Sequence, residues 1–121
     1  MIDHIKIYVN DIEESKEFYL KALEPIHYKL MVDMSEYKAV GLGSEGVPST
    51  WLHGTGCKQP THIAWTAETR EQVDVFHKAA VEAGGKDNGA PGIREEYHKD
   101  YYGAFIIDPN GHNIEVVCHK V

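Results

Sequence analysis

The chain has 121 residues and carries 12 basic against 19 acidic side chains, a net charge of −7. That length suits a single domain with a modest core, and the acidic balance excludes the basic surface that nucleic acid or an anionic membrane requires. No apolar run approaches the roughly 18 residues of a membrane span, no basic-then-apolar leader opens the sequence, and Cys57 and Cys118 alone supply no disulfide framework, so the expectation is a cytoplasmic protein with free thiols.

From Ile2 to Val9, the apolar residues Ile5, Ile7 and Val9 alternate with His4, Lys6 and Tyr8. A strand is predicted, with His4 on its less apolar face. Asp11 with Glu14 three residues on has the form of a capping box, and Ile12, Phe18, Tyr19, Ala22 and Leu23 recur at helical spacing until Pro25 ends the helix. Three shorter strands follow, about His27 to Met34, Tyr37 to Gly43 and Ser49 to His53, separated by turns at Ser35-Glu36 and Ser44 to Pro48. The order then begins again. Thr61 to Thr66 is a strand, Thr69 and Gln72 form a capping box, Val73, Phe76, Ala80 and Ala83 make the helical stripe, and Gly84-Gly85 stops it. A short strand near Gly85 to Asn88, an inserted loop from Gly89 to Asp100, a strand from Tyr101 to Ile107, the turn Asp108-Pro109-Asn110-Gly111 and a strand from Asn113 to His119 complete the chain.

A shift from residue 4 to residue 62 lays His4-Ile5 on His62-Ile63, Glu13 on Glu71, Phe18 on Phe76 and Ala22 on Ala80. One β-α-β-β-β unit is used twice, and each copy must cover the other's apolar face. The predicted fold class is α+β: two tandem βαβββ modules within one domain spanning 1–121, module one about 1–57 and module two about 58–121. The best-matched polar residue of the repeat is the histidine that opens each unit, and two such histidines can converge on one point.

The paired units, the openings Ile2-Asp3-His4-Ile5 and Thr61-His62-Ile63-Ala64, and the closing string Asp108-Pro109-Asn110-Gly111-His112-Asn113-Ile114-Glu115 resemble the vicinal oxygen chelate superfamily, which includes glyoxalase I, extradiol dioxygenases, fosfomycin-resistance thiol transferases and bleomycin-resistance binding proteins. The resemblance covers essentially the whole chain and implies an open, cup-shaped mixed sheet with helices on the outside. It also implies a divalent metal ion held by His4, His62 and Glu115. Two imidazoles and a carboxylate leave open coordination positions and suit zinc, nickel, iron, cobalt or manganese. Where glyoxalases of the family carry a fourth ligand, a glutamate, this chain offers Thr50 or Trp51. A single pair of modules further implies a homodimer, with the metal site either inside one chain or shared between two.

Without that glutamate, a general base has to come from elsewhere. His53, two residues beyond Trp51 on the same strand face, and His98 on the inserted loop are the candidates. Trp51 either stacks on a flat substrate group or fills the cup. Arg94, beside Tyr97, His98 and Tyr101, either clamps a carboxylate or phosphonate or pairs with Glu95 or Glu96 at the surface. His27, His77, His112 and His119 have no partner in this reading and are expected at the surface or a sheet edge, whereas Cys118, out of phase with Glu115, is expected in the core. The leading function is a metal-dependent lyase or isomerase acting on a small oxygenated or thiol-conjugated substrate. A ring-opening dioxygenase or thiol transferase on the same triad, and a metal-free binder of aromatic compounds supported by Trp51, Trp65 and the tyrosine-rich insertion, are the alternatives.

Overall fold

A computed structural model describes all 121 residues. Module one runs β1 (Ile5–Tyr8), α1 (Ile12–Leu23), β2 (Lys29–Met34), β3 (Ala39–Gly43) and β4 (Thr50–His53); module two runs β5 (His62–Thr66), α2 (Arg70–Glu82), β6 (Lys86–Ile93), β7 (Tyr102–Ile107) and β8 (Asn113–Cys118). Both helices start where their sequences dictate, but the expected capping box is complete only at α2, α1 keeping the Asp11 half alone. The Asp11 carboxylate accepts from Glu14 N at 3.1 Å, and Thr69 and Gln72 make a complete capping box. Pro25 opens a single 3-10 turn, Glu24–Ile26, after α1, and His27 closes it with a left-handed φ of 69°.

Each module builds its own four-stranded mixed sheet, in the orders β1-β4-β3-β2 and β5-β8-β7-β6, with the first and last strands of each unit parallel. The helices pack against one face of each sheet and against each other, and one apolar core of 20 buried residues runs through both modules. Trp65 belongs to this core, 7% exposed, its indole N–H directed at Thr50 Oγ1 3.3 Å away. Cys118 is buried and Cys57 half-buried, both as free thiols. No helix is long and apolar enough to cross a membrane.

Two local expectations are corrected. The segment from Gly89 is not a loop throughout, because β6 continues to Ile93 and includes Pro91. Its pairing with β7 is irregular, with register shifts either side of Gly89, and it is an edge strand, where a proline lacking its N–H is tolerated. The remainder, to Asp100, is a compact turn closed by Arg94 N donating to Tyr101 O at 2.8 Å and Tyr97 N donating to Arg94 O at 3.0 Å.

The second correction is His112, which is 2% exposed and joins the two modules. Its Nδ1 accepts from Thr61 N at 2.9 Å, so the neutral ring carries its proton on Nε2 and donates it to Tyr8 O at 2.8 Å. Cys57 Sγ lies 3.6 Å from the same Nε2, but that nitrogen has no free lone pair, so His112 cannot activate the thiol. The Asp108 carboxylate accepts from the His112 and Asn110 backbone N–H groups, each at 2.8 Å, and from the Tyr19 hydroxyl of α1 at 2.5 Å. Burial, then the Asp108 charge, pushes the Tyr19 phenol well above its ordinary range, so it remains a donor. Asn10 completes the clasp, donating from N to Asn110 Oδ1 and accepting from Cys57 N, each at 2.8 Å.

Candidate functional site

Strand register assigns the outward faces. In module two, β8 pairs Glu115 with Ala64 on one side and Phe105 on the other; in module one, β4 pairs Trp51 with Lys6 and Gly41. Since Lys6 and Ala64 are repeat equivalents, Trp51 stands where Glu115 stands in the other module, while Thr50 points inward and is buried. The position left open between Thr50 and Trp51 therefore falls on Trp51.

His62 and Glu115 meet on the outward face of module two. Glu115 is 2% exposed, its Oε1 lies 3.1 Å from His62 Nε2, and its Oε2 accepts the Tyr101 hydroxyl. A buried carboxylate requires such partners to offset lost hydration. Burial first, then the Glu115 hydrogen bond and charge, raises the Tyr101 phenol well above its ordinary range, which keeps it protonated and donating. His62 Nδ1 donates to Asn113 O at 2.9 Å, which fixes the tautomer and turns the Nε2 lone pair toward Glu115 Oε1. Two lone-pair-bearing atoms facing at that distance need a cation between them, either a proton or a metal ion. Two ligands each about 2.1 Å from one ion, at roughly a right angle, are about 3 Å apart, so this donor pair fits a divalent metal.

The surroundings preorganise the pair. The Phe105 ring stacks on the His62 imidazole, with centroids 6.1 Å apart and planes 25° apart, and the Arg94 guanidinium lies over the Phe105 ring, 5.5 Å from its centroid. Arg94 Nη2 donates to Ala90 O at 2.7 Å, and Arg94 pairs with neither Glu95 nor Glu96. Gly103 permits the close approach of Glu115 and Tyr101, since a Cβ there would lie 3.2 Å from Glu115 Oε2 and from Tyr101 Cε1. His62, Tyr97, Tyr101, Phe105 and Glu115 line an open cavity of about 400 Å³. A larger cleft of about 550 Å³, between Tyr28, Trp65 and Gln72, is lined by His27, Glu45 and Glu68, but His27 makes no ion pair there with either carboxylate. Phe105 and Gly103 were missed in the sequence, although strand alternation puts both on the face of Glu115.

The remaining candidates separate. His4 lies outside the sheet, in the segment just before β1 of the other module, its Nδ1 2.6 Å from Asp3 Oδ1, and within one chain no three His, Cys, Asp or Glu side chains assemble as a metal cluster. His53 is on the outward face of module one beside Tyr8, ring centroids 6.2 Å apart. Burial, with the Lys6 charge second, lowers its pKa, so it is neutral at pH 7. His98 Nδ1 accepts from Asp100 N at 3.0 Å, which leaves the proton of the neutral ring on Nε2. His119, unassigned from sequence, sits edge-on to Tyr101 at 5.2 Å and to His98 at 6.2 Å.

The depressed His53 pKa has a testable sign. The unfolded chain binds the proton more readily, so this group's contribution to stability is present above the ordinary imidazole range and is lost as pH falls through it. In a Lys6→Gln variant, the His53 ring should titrate at higher pH than in the parent, read from the imidazole proton NMR shifts. An unchanged midpoint would leave burial as the sole cause.

Among solved structures, the chain is similar to a glyoxalase/bleomycin resistance protein from Albidiferax ferrireducens T118, with 24% identity, 95% of this chain and 96% of that one covered, and a TM-score of 0.80. It is similar to a glyoxalase/bleomycin resistance protein/dioxygenase family enzyme from Burkholderia phytofirmans PsJN, with 16% identity, 98% of each chain covered and a TM-score of 0.75. A glyoxalase I variant from Zea mays shares 24% identity over 96% of this chain and 45% of its own, with a TM-score of 0.69, so this chain spans about half that protein's length. These likenesses establish the shared fold. No curated protein matches the sequence. The family model for the Glyoxalase/Bleomycin resistance protein/Dioxygenase superfamily matches residues 1–116, and the chain belongs to that superfamily.

Proposed function

We propose that the protein is a divalent-metal-dependent lyase or isomerase, acting as a cytoplasmic homodimer on a small oxygenated or thiol-conjugated substrate. The observation that carries this reading is the His62–Glu115 pair: a fixed imidazole tautomer and a buried carboxylate present their lone pairs to one point, 3.1 Å apart. Within a chain, the outward faces of the two sheets belong to different modules, and His4 leads into β1 of the other one. A second copy, docking its module one over this module two, would supply His4 as third ligand and Trp51 and His53 as the facing wall. Such an arrangement is an isologous dimer with two equivalent sites.

His4, His62 and Glu115 would hold the metal, which when bound polarises oxygen atoms of the substrate. Tyr101 holds Glu115 Oε2 and thereby leaves Oε1 as the donor. Arg94 and Tyr97 bind an anionic end of the substrate at the cavity rim. His53, neutral and with no hydrogen bond to its ring nitrogens, takes a proton from one substrate carbon and returns it to the neighbour; His98, with its Nδ1 lone pair already engaged, serves as a donor at the rim.

Loading the purified protein separately with zinc, nickel, cobalt, manganese and iron(II), and following thiohemiacetal substrates by proton NMR in deuterated water, tests the reading. The expected result is about one metal per chain and exchange of the substrate proton. Metal uptake without consumption or exchange of any such substrate would contradict it. A second reading, sequestration of a ligand without turnover, draws on Trp51 occupying the position equivalent to Glu115.

A further inference from the structure

The outward face of module one is chemically unlike that of module two at equivalent positions. The row Ala64–Glu115–Phe105 across module two becomes Lys6–Trp51–Gly41 across module one. Gly41 sets the pose of the indole: a Cβ there would lie 3.2 Å from Trp51 Cε2 and 3.0 Å from Pro48 Cβ. With no side chain at 41, Trp51 lies down across β3 against Pro48. It remains half-exposed, whereas Trp65 is buried. The indole is thus partly open to solvent on the outward side of β4.

Charge on this face opposes that of the chain. Although the protein has 19 acidic residues, β1, β4 and β3 contain none. Lys6, opposite Trp51, is exposed and makes no ion pair, and its charge is felt at His53. Tyr8, 48% exposed, and His53 extend the aromatic surface by one register step. A partly exposed indole beside a free ammonium group, with no carboxylate on the three strands, is complementary to a flat ring bearing a negative charge.

We infer that Trp51 and Lys6 form a binding platform for a planar aromatic anion, an arene carboxylate or phenolate, and that the protein's substrate carries such a group. The ring stacks on Trp51, the charge is met by Lys6, and Tyr8 and His53 bound the ring's edge. The placement of this platform opposite His62 and Glu115 rests on the dimeric cup proposed above, whereas binding to the platform itself does not.

The test measures binding of 2-naphthoate by isothermal titration calorimetry, with 2-naphthylmethanol as the neutral flat analogue and decahydronaphthalene-2-carboxylate as the charged analogue without a flat ring. Saturable 2-naphthoate binding is expected, weakened on the order of tenfold by Trp51→Leu and less by Trp51→Phe, which keeps a ring. Lys6→Gln should weaken 2-naphthoate and leave 2-naphthylmethanol unchanged. Circular dichroism of each variant confirms that it is folded. Absence of 2-naphthoate binding to the parent, equal binding of the saturated analogue, or affinity unmoved by both substitutions overturns the inference. Zinc uptake, measured separately, distinguishes the two claims. Zinc bound without naphthoate leaves the metal reading standing and removes this one, and naphthoate bound in the pattern above without zinc does the reverse.

Discussion

Glu115→Gln should abolish divalent-metal uptake while leaving the fold intact. Glutamine matches the carboxylate in shape and retains an oxygen to accept the Tyr101 hydroxyl, so the buried position is neither emptied nor left with an orphan donor. What it removes is the charge that faces His62 Nε2 at 3.1 Å. Losing a first ligand should cost more than the roughly 10–100-fold typical of an outer partner, and Tyr101→Phe, which removes only the group orienting Oε2, should fall within that lesser range. Both affinities can be measured by competition with a chromophoric chelator, with circular dichroism as the control. Equal losses in the two variants would mean that Tyr101 does more than orient; undiminished binding in Glu115→Gln would remove Glu115 from the metal site.

His112→Ala should be the most destabilising single change outside the apolar core. The ring is 2% exposed and bonds Thr61 N and Tyr8 O, one on each side of the module junction. Truncation leaves both backbone groups without partners and opens a cavity between the modules. Together these effects should cost about 3 kcal/mol, which for a domain of this size lowers the thermal midpoint by roughly 10 °C. Chemical denaturation with an unchanged slope would identify the change as one of stability. A midpoint within about a degree or two of the parent would show that apolar contact alone holds the modules together.

The contrast between His112 and His62 illustrates what the sequence could reveal. His62 was legible because its repeat partner, His4, is likewise followed by isoleucine and because strand alternation puts it on a polar face. His112 has no repeat counterpart and follows a turn, where a histidine is ordinarily solvated. Its burial is a consequence of how the Asp108 to Gly111 turn folds back on β1, a contact between residues 104 apart in sequence. The end of β6 was hidden for a related reason. Gly-Ala-Pro-Gly has poor strand propensity, and only pairing with β7 makes it extended. Trp51 was ambiguous by a single residue until the pairing of Lys6 with Trp51 fixed the register, and in a strand one residue decides which face a side chain occupies. The two modules and the βαβββ order were fully legible, because capping boxes, helical stripes and turn strings all agree locally with the final fold. The gap between His4 and the His62–Glu115 pair was not, since periodicity within a module says nothing about which sheet faces which.

That gap makes mixing of two defective proteins the most direct test of the shared site. His4→Ala and Glu115→Ala variants are each purified, unfolded together in equal amounts, refolded, and assayed for bound metal. If each site takes His4 from one copy and His62 with Glu115 from the other, half of the dimers are mixed and each mixed dimer regains one intact site. The mixture should then bind about a quarter as much metal per chain as the parent, while each variant alone binds almost none. If all three ligands belong to one chain, no mixed dimer contains an intact site. A mixture that binds no more than its two components would rule out a site shared between two copies.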